Sequence, residues 1–362
     1  MDDGYFTSRW VVGPEPTPPS NLPPDDLFTP APPGTFTIPE ELTSFRLLSS
    51  NPLSLRNADK VGYDRRMWQS DPSRIIYHKG KYHFWMIDGS AVDNSEVLRD
   101  SIIAGSTQIP EDHKSWILYL NSDDGEHWNA VDYVPLGPVG SCYDQAIEQA
   151  NVVYYNNRFY LFSEVFTSNI EKYGTQRPGI ACLVADSPEG PWQFMGDLIL
   201  VPSEDEEQWD SVRVVNPRHV YFNGKWFMYY KGYMKGQPTN NGVAFSDSLT
   251  GPYTKYAGGP LIHGHGHFAW RYKHGIIMLA FAAWYVRNYT RLMWTEDGIH
   301  FVPLVESAGT FLFGSLYCPY DPLFGDPVTD QPVTRYRGLQ SVFYPGTTGW
   351  DVEQIEWGFG AG

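Results

Sequence analysis

The stretch RIIYHKGKYHFW at residues 74–85 indicates the fold of this chain, because its pattern recurs along the sequence. The pattern consists of an apolar run, a turn residue, a basic residue and an aromatic run. It recurs in VVYYNNRFYLF (152–162) and HVYFNGKWFMYY (219–230), and more loosely in WRYKHGIIMLAF (270–281). Residues that alternate with the two-residue period of a β-strand, on both sides of an Asn or Gly turn, are typical of a β-hairpin. The four phrases therefore predict four hairpins.

A second phrase, a turn that runs into an aromatic residue, alternates with the first. It occurs as SDDGEHW (122–128), ADSPEGPW (185–192), SDSLTGPY (246–253) and TEDGIHF (295–301). A unit of roughly 50–75 residues thus recurs four times, and two hairpins per unit make a four-stranded sheet. Sheets repeated around an axis form a β-propeller. With a fifth blade from the C-terminal segments TFLFGSL, GLQSVFYPG and DVEQIEWGFG, the sequence predicts an all-β, five-bladed β-propeller.

The N-terminal region differs from the rest of the chain. Residues 11–36 are rich in proline, which excludes a helix interior or a central strand and predicts an extended arm. Residues 37–50 form the best helix candidate, with Leu42, Phe45 and Leu48 on one face. A short amphipathic helix on a stiff arm must bury its apolar face, so we expect the arm to join a homodimer.

The sequence therefore predicts two units. Residues 1–58 form an arm and a helical segment that could be exchanged between subunits, and residues 59–362 form a catalytic propeller. No apolar stretch reaches the length of a membrane span, and the first residues lack a signal-peptide pattern. A cytoplasmic or periplasmic protein is therefore expected.

Composition narrows the class of partner. Twenty-six basic and 42 acidic residues give a formal net charge of −16, which argues against nucleic acid because no basic stripe could neutralise phosphates. Aromatic residues make up 16% of the chain, which suits blade packing and stacking on sugar rings. The three cysteines lie far apart and indicate neither disulfides nor a metal site. No cofactor is expected, although a propeller axis could hold a structural cation.

Polar residues recur where the innermost strands begin. When the turn bases Lys81, Arg158 and Lys225 are aligned, Asp71 falls opposite Glu148 without a gap and opposite Asn216 with one deletion. The fourth unit places HGHGH (263–267) at the same level. Polar side chains at one level of the inner strands indicate an axial pocket. The candidate catalytic residues are Asp71, Glu148, Asp210 and His265, and the candidate substrate-binding residues are Trp68, Arg74, Gln176, Arg213, Asn216, Lys231 and His267.

With these residues the chain resembles glycoside hydrolase family 117, the 3,6-anhydro-L-galactosidases, and the related family 43. The matching phrases include GYDRRMWQSDPSRIIYHKGKYHFW, WDSVRVVNPRHVYFNGKWFMYYKG and GHGHFAWRYKHGI, and the resemblance covers about residues 37–305. It implies a five-bladed propeller, an N-terminal segment exchanged between subunits, Asp71 as general base and His265 as an unusual general acid. Two positions depart from the family: Asn216 stands where it has a second Asp, and Gly266 where it has a Glu.

The residues also support this chemistry by themselves. Hydrolysis with inversion needs a base that activates water and an acid that protonates the leaving oxygen. Asp71 and a facing histidine could supply both, and an imidazole can donate a proton near neutral pH. The leading hypothesis is an exo-acting glycoside hydrolase on an unusual algal or plant oligosaccharide. Two alternatives stay open: a non-catalytic sugar-binding propeller, motivated by Asn216 and Gly266, and a phosphorolytic enzyme, motivated by Arg213, Arg218 and His219.

Overall fold

The structure, a computed structural model, describes residues 31–32, 34–56, 68–89, 115–235, 239–264, 266–281, 290–306, 335–343 and 350–359. These residues form mainly β-strands, which in chain order are β1 (Phe45–Pro52), β2 (Ser54–Arg56), β3 (Trp68–Ser70), β4 (Ile76–His78), β5 (Lys81–Gly89), β6 (Ser115–Ser122), β7 (His127–Tyr133), β8 (Ala146–Tyr155), β9 (Arg158–Phe166), β10 (Gly179–Ala185), β11 (Gln193–Leu200), β12 (Arg213–Phe222), β13 (Lys225–Tyr233), β14 (Asn240–Ser246), β15 (Thr254–Lys255), β16 (Ile262–His263), β17 (Gly266–Tyr272), β18 (Gly275–Phe281), β19 (Thr290–Thr295), β20 (Val302–Glu306), β21 (Arg335–Phe343) and β22 (Trp350–Phe359).

The strands form the blades of an all-β propeller. Blade one has the order β2-β7-β6-β5-β3, with β4 also paired to β5, and blade two has the order β11-β10-β9-β8. Blade three runs β12-β13-β14-β15, with β16 on β14, and blade four runs β17-β18-β19-β20. Blades two to four begin with their innermost strands, β8, β12 and β17, whereas in blade one β3 and β4 share that place.

The number of blades differs from the prediction. The described residues form four blades of four or more strands rather than five. A further sheet has only three strands, in the order β1-β22-β21, and so combines both ends of the described chain. The repeated phrases could not predict this sheet because β1 pairs with a strand about 300 residues away, for which no local pattern exists.

The four predicted hairpins are confirmed. Two-residue loops join β4 to β5, β8 to β9, β12 to β13, and β17 to β18, as the pairs His78↔Lys81, Tyr155↔Arg158, Phe222↔Lys225 and Tyr272↔Gly275 show. Tight hairpin loops of this length favour positive φ, which Asn and Gly adopt most readily. Asn156 and Asn157 have φ of 49° and 60°, and Asn223 and Gly224 have φ of 49° and 77°.

The second repeated phrase forms an aspartate-centred turn in blades one and four. Asp124 Oδ1 accepts hydrogen bonds from the backbone N–H groups of Glu126 and His127, both at 2.8 Å, and its other oxygen lies 2.8 Å from His127 Nδ1. Asp297 repeats these contacts with Ile299 and His300. A side chain that satisfies two backbone donors in this way stabilises a tight turn.

The core lies between the blades. Alternate residues of one strand face opposite ways, so Phe84 packs in the cluster that joins blades one and four, while Trp85 packs between blades one and two. Further clusters lie between blades two and three and between blades three and four. Tryptophan supplies the largest fully buried side chains, namely Trp85, Trp128, Trp226, Trp270 and Trp294. Cys142 and Cys182 are buried free thiols.

The predicted helix at 37–50 is wrong in extent. Only Glu40–Ser44 is helical, as a 3-10 helix, and β1 begins directly at Phe45. Pairing with β22 along the whole of β1 supplies backbone hydrogen bonds that override the helical pattern of Leu42, Phe45 and Leu48. A one-turn helix that we did not predict, α1 (Ile170–Tyr173), is capped by Asn169 and Gly174.

Residues before position 59 take part in the propeller sheets, since β1 pairs with β22 and β2 pairs in parallel with β7. Residues 1–30, which include most of the proline-rich arm, lie outside the described residues, as does Cys318. The exchange of this arm in a homodimer stays a prediction. In the described part of the chain, no helix is long and apolar enough to cross a membrane.

Leu42 should anchor the N-terminal segment to the propeller of its own chain. Its side chain is fully buried in the cluster between blades one and four, and the neighbouring Glu41 accepts a 2.6 Å hydrogen bond from Tyr272. We expect Leu42→Ala to lower the free energy of unfolding by about 2–5 kcal/mol, because it leaves a cavity. Urea unfolding of Leu42→Ala beside Ile38→Ala, whose side chain is 37% exposed, tests this. Equal, small losses in both variants would contradict it.

Candidate active site at the propeller axis

Three blades share an unusual backbone conformation where their innermost strands begin. Asp71, Gln149 and Asn216 have φ of 51°, 56° and 59°, in the left-handed region. At Gln149 and Asn216 the pairing register shifts, between Glu148 and Asn151 and between Val215 and Arg218. Such backbone costs on the order of 1–3 kcal/mol for a residue other than glycine, and it occurs most often at functional sites. Its repetition in three blades defines a ring around the axis, the axial ring of Asp71, Gln149 and Asn216.

This geometry corrects the alignment made from the sequence. We aligned Asp71 with Glu148, but the residue of blade two in the matching conformation is Gln149. The difference arises because blade one has one more residue than blades two and three between this position and its turn base. Glu148 therefore precedes the axial ring instead of belonging to it.

Asp71 is the carboxylate of the axial ring and is only partly buried, whereas Gln149 and Asn216 are buried. Two residues after Asp71, hydrogen bonds attach the chain to β5. Ser73 N–H donates to the Trp85 carbonyl oxygen at 2.6 Å, and Trp85 N–H donates to Ser73 Oγ at 2.9 Å. These bonds keep Asp71 at the ring while its side chain retains access to solvent.

Asn216 and His267 carry buried polar atoms without a partner. Neither the amide nitrogen nor the amide oxygen of Asn216 makes a hydrogen bond, although the residue is only 1% exposed. His267 Nδ1 lies 2.8 Å from Asn241 Oδ1, while His267 Nε2 has no partner. Buried polar groups are normally hydrogen-bonded, so unsatisfied ones at one place indicate a site for water or ligand.

The hydrogen bonds also assign the protonation of His267. Asn241 Nδ2 donates to the Gly264 carbonyl oxygen at 3.1 Å, so Asn241 Oδ1 is the acceptor and His267 Nδ1 carries the proton. Burial, together with the charges of Arg218 and Lys231, lowers the pKa of His267 to about 3. The ring is therefore neutral at physiological pH, and its Nε2 can accept a hydrogen bond but cannot act as a general acid.

A buried ion network lies beside the axial ring, between blades two and three. Arg213 donates from Nε and Nη2 to the two oxygens of Glu164, both at 2.5 Å. Arg213 Nη2 lies 3.7 Å from Glu148 Oε2, and Arg177 Nη1 lies 3.8 Å from Glu164 Oε1. Glu148 also accepts a 2.7 Å hydrogen bond from Ser115. Burial and the neighbouring charge of Arg213 lower the pKa of Arg177 to about 10.

Two members of this network, Glu164 and Arg177, were not predicted from the sequence. A signal for Glu164 was present, because a single carboxylate interrupts the apolar run of LFSEVF (161–166). A charge in a buried strand must be paired. No comparable pattern marks Arg177, which lies in the loop before β10.

Arg74 crosslinks the inner strands at the axis. It donates to the carbonyl oxygens of His219 in blade three (3.3 Å) and Ala269 in blade four (3.4 Å). Arg218 donates to the Ala150 carbonyl oxygen of blade two at 3.3 Å. The two guanidinium groups lie 5.7 and 5.6 Å from the centre of the Phe268 ring. Strands of all four blades therefore meet around these two arginines.

Asp210, a predicted catalytic residue, has both oxygens occupied. Ser203 donates to Oδ1 at 2.5 Å, Tyr230 donates to Oδ2 at 2.8 Å, and Lys255 Nζ lies 2.7 Å from Oδ2. All three partners belong to blade three or to the loop before it. These contacts suit a carboxylate that holds the blade together.

The remaining predicted residues are less closely defined. The backbone carbonyl of Gln176 accepts a 2.9 Å hydrogen bond from Thr167, and Trp68 lies in β3, where it pairs with Gly89. His265 lies outside the described residues, between Gly264 and the start of β17. Within the described ranges no group of three or more His, Cys, Asp or Glu could hold a metal ion, so an axial cation stays a prediction.

Solved structures resemble this chain. A family 117 glycoside hydrolase from the marine bacterium Zobellia galactanivorans matches with a TM-score of 0.69 and 19% identity, over 88% of this chain and 92% of that one. The catalytic domain of a family 62 α-L-arabinofuranosidase from Coprinopsis cinerea matches with a TM-score of 0.58 and 13% identity, over 87% and 98%. A β-xylosidase matches with a TM-score of 0.52 and 11% identity, over 80% and 92%.

The likeness shows the fold. No protein-family model matches the sequence, and no curated protein matches it either. The predicted likeness to family 117 thus holds at the level of the propeller. Activity has to be argued from the residues of the axial ring.

Proposed function

We propose that this protein is a glycoside hydrolase whose general base is Asp71. The proposal rests on the axial ring. There the partly exposed carboxylate of Asp71 shares its backbone conformation with Asn216, whose buried amide has neither its donors nor its acceptor satisfied. A base needs access to the attacking water, and sugar hydroxyls need both donors and acceptors. The similar solved structures named for glycosidases add support from the fold alone.

In this proposal the enzyme removes terminal residues from an unusual algal or plant oligosaccharide with inversion. His265 donates the proton to the leaving oxygen, a role implied by the resemblance to family 117. His267 is unsuited to that role because it is neutral, and it accepts a hydrogen bond from a sugar hydroxyl. Glu148 is the second candidate for the acid, while Arg74 and Asp210 support the fold of the site.

The test is hydrolysis of a panel of plant and algal oligosaccharides by the purified protein, with the anomer of the first product read by NMR. We expect release of terminal sugars with the inverted anomer. Retention of configuration would contradict the pair of Asp71 and His265, because a retaining enzyme uses a carboxylate nucleophile. Binding without turnover would favour the alternative of a sugar-binding propeller.

Phosphorolysis stays an alternative with less support. Arg213 is engaged by Glu164, and Arg218 donates to the carbonyl oxygens of Ala150 and Pro217. His219 is fully buried, and burial together with Arg74 and Arg218 lowers its pKa well below the usual value. Arg213 and His219 therefore contribute little to a cationic cluster for a phosphate nucleophile.

His265→Ala should affect substrates according to their leaving group. With an oligosaccharide, whose sugar leaving group needs protonation, we expect a loss of about 10²–10⁴-fold in kcat/KM. With a nitrophenyl glycoside, which leaves without protonation, we expect a much smaller loss. Parallel kinetics of His263→Ala, which alters another histidine of the same HGHGH segment, serve as the control. Equal losses on both substrates would exclude His265 as the acid and favour Glu148.

A further inference from the structure

Seven charged side chains lie buried in blades two and three: Glu148, Glu164, Arg177, Asp210, Arg213, Arg218 and Lys231. Four of these side chains are cations and three are anions, so these buried residues carry an excess of one positive charge. The excess stands out because the whole chain has a net charge of −16. A buried charge without a counter-ion is costly and is retained where a ligand supplies the opposite charge.

Lys231 is one of the buried cations of this group. It is fully buried, and among the described residues no carboxylate oxygen lies within 4 Å of its ammonium group and no hydrogen bond reaches it. The contact that it makes is with the ring of Tyr233, whose centre lies 5.4 Å from Nζ. The carboxylates of Glu148 and Glu164 pair with the arginines instead.

Strand register brings Lys231 next to Asn216 and Asn241. On β13 it pairs with Val215, which directly precedes Asn216, and on its other side it pairs with Asn241. Asn241 in turn bonds His267, and the charge of Lys231 contributes to the lowered pKa of that histidine. The Lys231 ammonium, the unpartnered Asn216 amide and His267 Nε2 are therefore connected through neighbouring positions of β12, β13, β14 and β17.

We propose that Lys231, Asn216 and His267 form a subsite for an acidic sugar, one that carries a carboxylate or a sulfate ester. The Lys231 ammonium and the Asn216 amide N–H groups donate to the anionic oxygens. His267 Nε2 accepts a hydrogen bond from a hydroxyl of the same sugar. This inference rests on the proposed function in taking the ligand to be a sugar, and it narrows the substrate class to charged oligosaccharides.

Binding to the Asp71→Asn protein tests the subsite without turnover. Calorimetry would compare disaccharides that end in glucuronate or in galactose 6-sulfate with the same disaccharides that end in glucose or galactose. We expect at least one acidic disaccharide to bind about tenfold or more tightly than its neutral partner, which corresponds to one charge-assisted contact. The preferred acidic disaccharide identifies the anionic group. Equal or tighter binding of both neutral disaccharides would overturn the proposal.

Lys231→Met removes the charge and keeps the length of the side chain. We expect it to abolish the preference for the acidic disaccharide, because the anionic group loses its cationic partner. Lys172→Met, which alters an exposed lysine on α1, should keep the preference. An unchanged preference in Lys231→Met would overturn the proposal.

Thermal unfolding gives a second readout that a structural lysine would not reproduce. Because Lys231→Met removes an uncompensated buried charge, we expect the Tm of the ligand-free protein to rise by a few degrees. A fall in Tm would mean that the protein itself compensates the ammonium, and it would overturn the proposal. If the protein hydrolyses neutral oligosaccharides and shows no preference for acidic ones, the subsite is refuted and the proposed function stands. If it binds acidic sugars but hydrolyses none, the proposed function is refuted and the subsite stands.

Discussion

Asp71→Asn should lower turnover by about 10²–10⁴-fold or more and leave the melting temperature nearly unchanged. The amide cannot take a proton from water, so the general base is lost. The substitution is well matched to the backbone, because asparagine adopts positive φ as readily as aspartate. Asn216 already holds the same conformation in blade three. Steady-state kinetics on the best oligosaccharide, together with thermal unfolding, would measure both effects.

Asp123→Asn is the matched control. Asp123 is an exposed carboxylate that lies 3.1 Å from Lys81, and its side chain is 74% exposed. This variant should keep both activity and stability. If Asp71→Asn retained most of the wild-type turnover, Asp71 would not be the base, and the carboxylate of Glu148 would be tested next.

Glu164→Gln should destabilise the protein by about 3–5 kcal/mol. Glu164 is fully buried and accepts both hydrogen bonds from Arg213, so its neutralisation leaves a buried guanidinium with a distant partner, Glu148. Breaking one side of a buried ion pair is costly because the remaining charge has neither water nor a counter-ion. Urea unfolding would measure the loss as a shift of the midpoint.

Asp186→Asn provides the comparison on the surface. Asp186 lies 2.7 Å from Arg158, but its side chain is 83% exposed. Exposed ion pairs contribute about 0–1 kcal/mol, so this variant should change the free energy of unfolding little. Similar losses in the two variants would show that burial does not decide the strength of the Arg213–Glu164 pair.

The position of Asp71 was predictable because it depends on a local pattern. A carboxylate and a proline directly before an apolar strand and a hairpin turn mark the entrance of an inner strand, and four hairpins occur where these phrases repeat. The register of blade two was not predictable in the same way. A bulge between Glu148 and Asn151 puts Gln149 in the axial ring, and the sequence carries no separate signal for a bulge.

Roles that depend on tertiary contacts were also beyond the sequence. Arg74 follows Asp71 closely and was predicted to bind substrate, but its guanidinium group bonds carbonyls of blades three and four. Asp210 was predicted to be catalytic, yet three neighbours occupy its oxygens. In both cases a polar side chain near the site has protein partners, which lie in other blades for Arg74 and in blade three or the loop before it for Asp210. Residue type and spacing cannot distinguish such partners from a ligand.

The sequence by itself determined the hairpins, their order and the all-β class, because hydrophobic period and turn residues act over a few neighbouring positions. The pairing of the chain ends, which replaced the expected helix after Ser44 with β1, became visible in the folded chain alone. The same holds for the buried polar atoms that lack a partner, among them those of Asn216 and His267 Nε2. Hydrogen-bond satisfaction depends on all the strands that meet at one point, and these strands lie far apart along the chain.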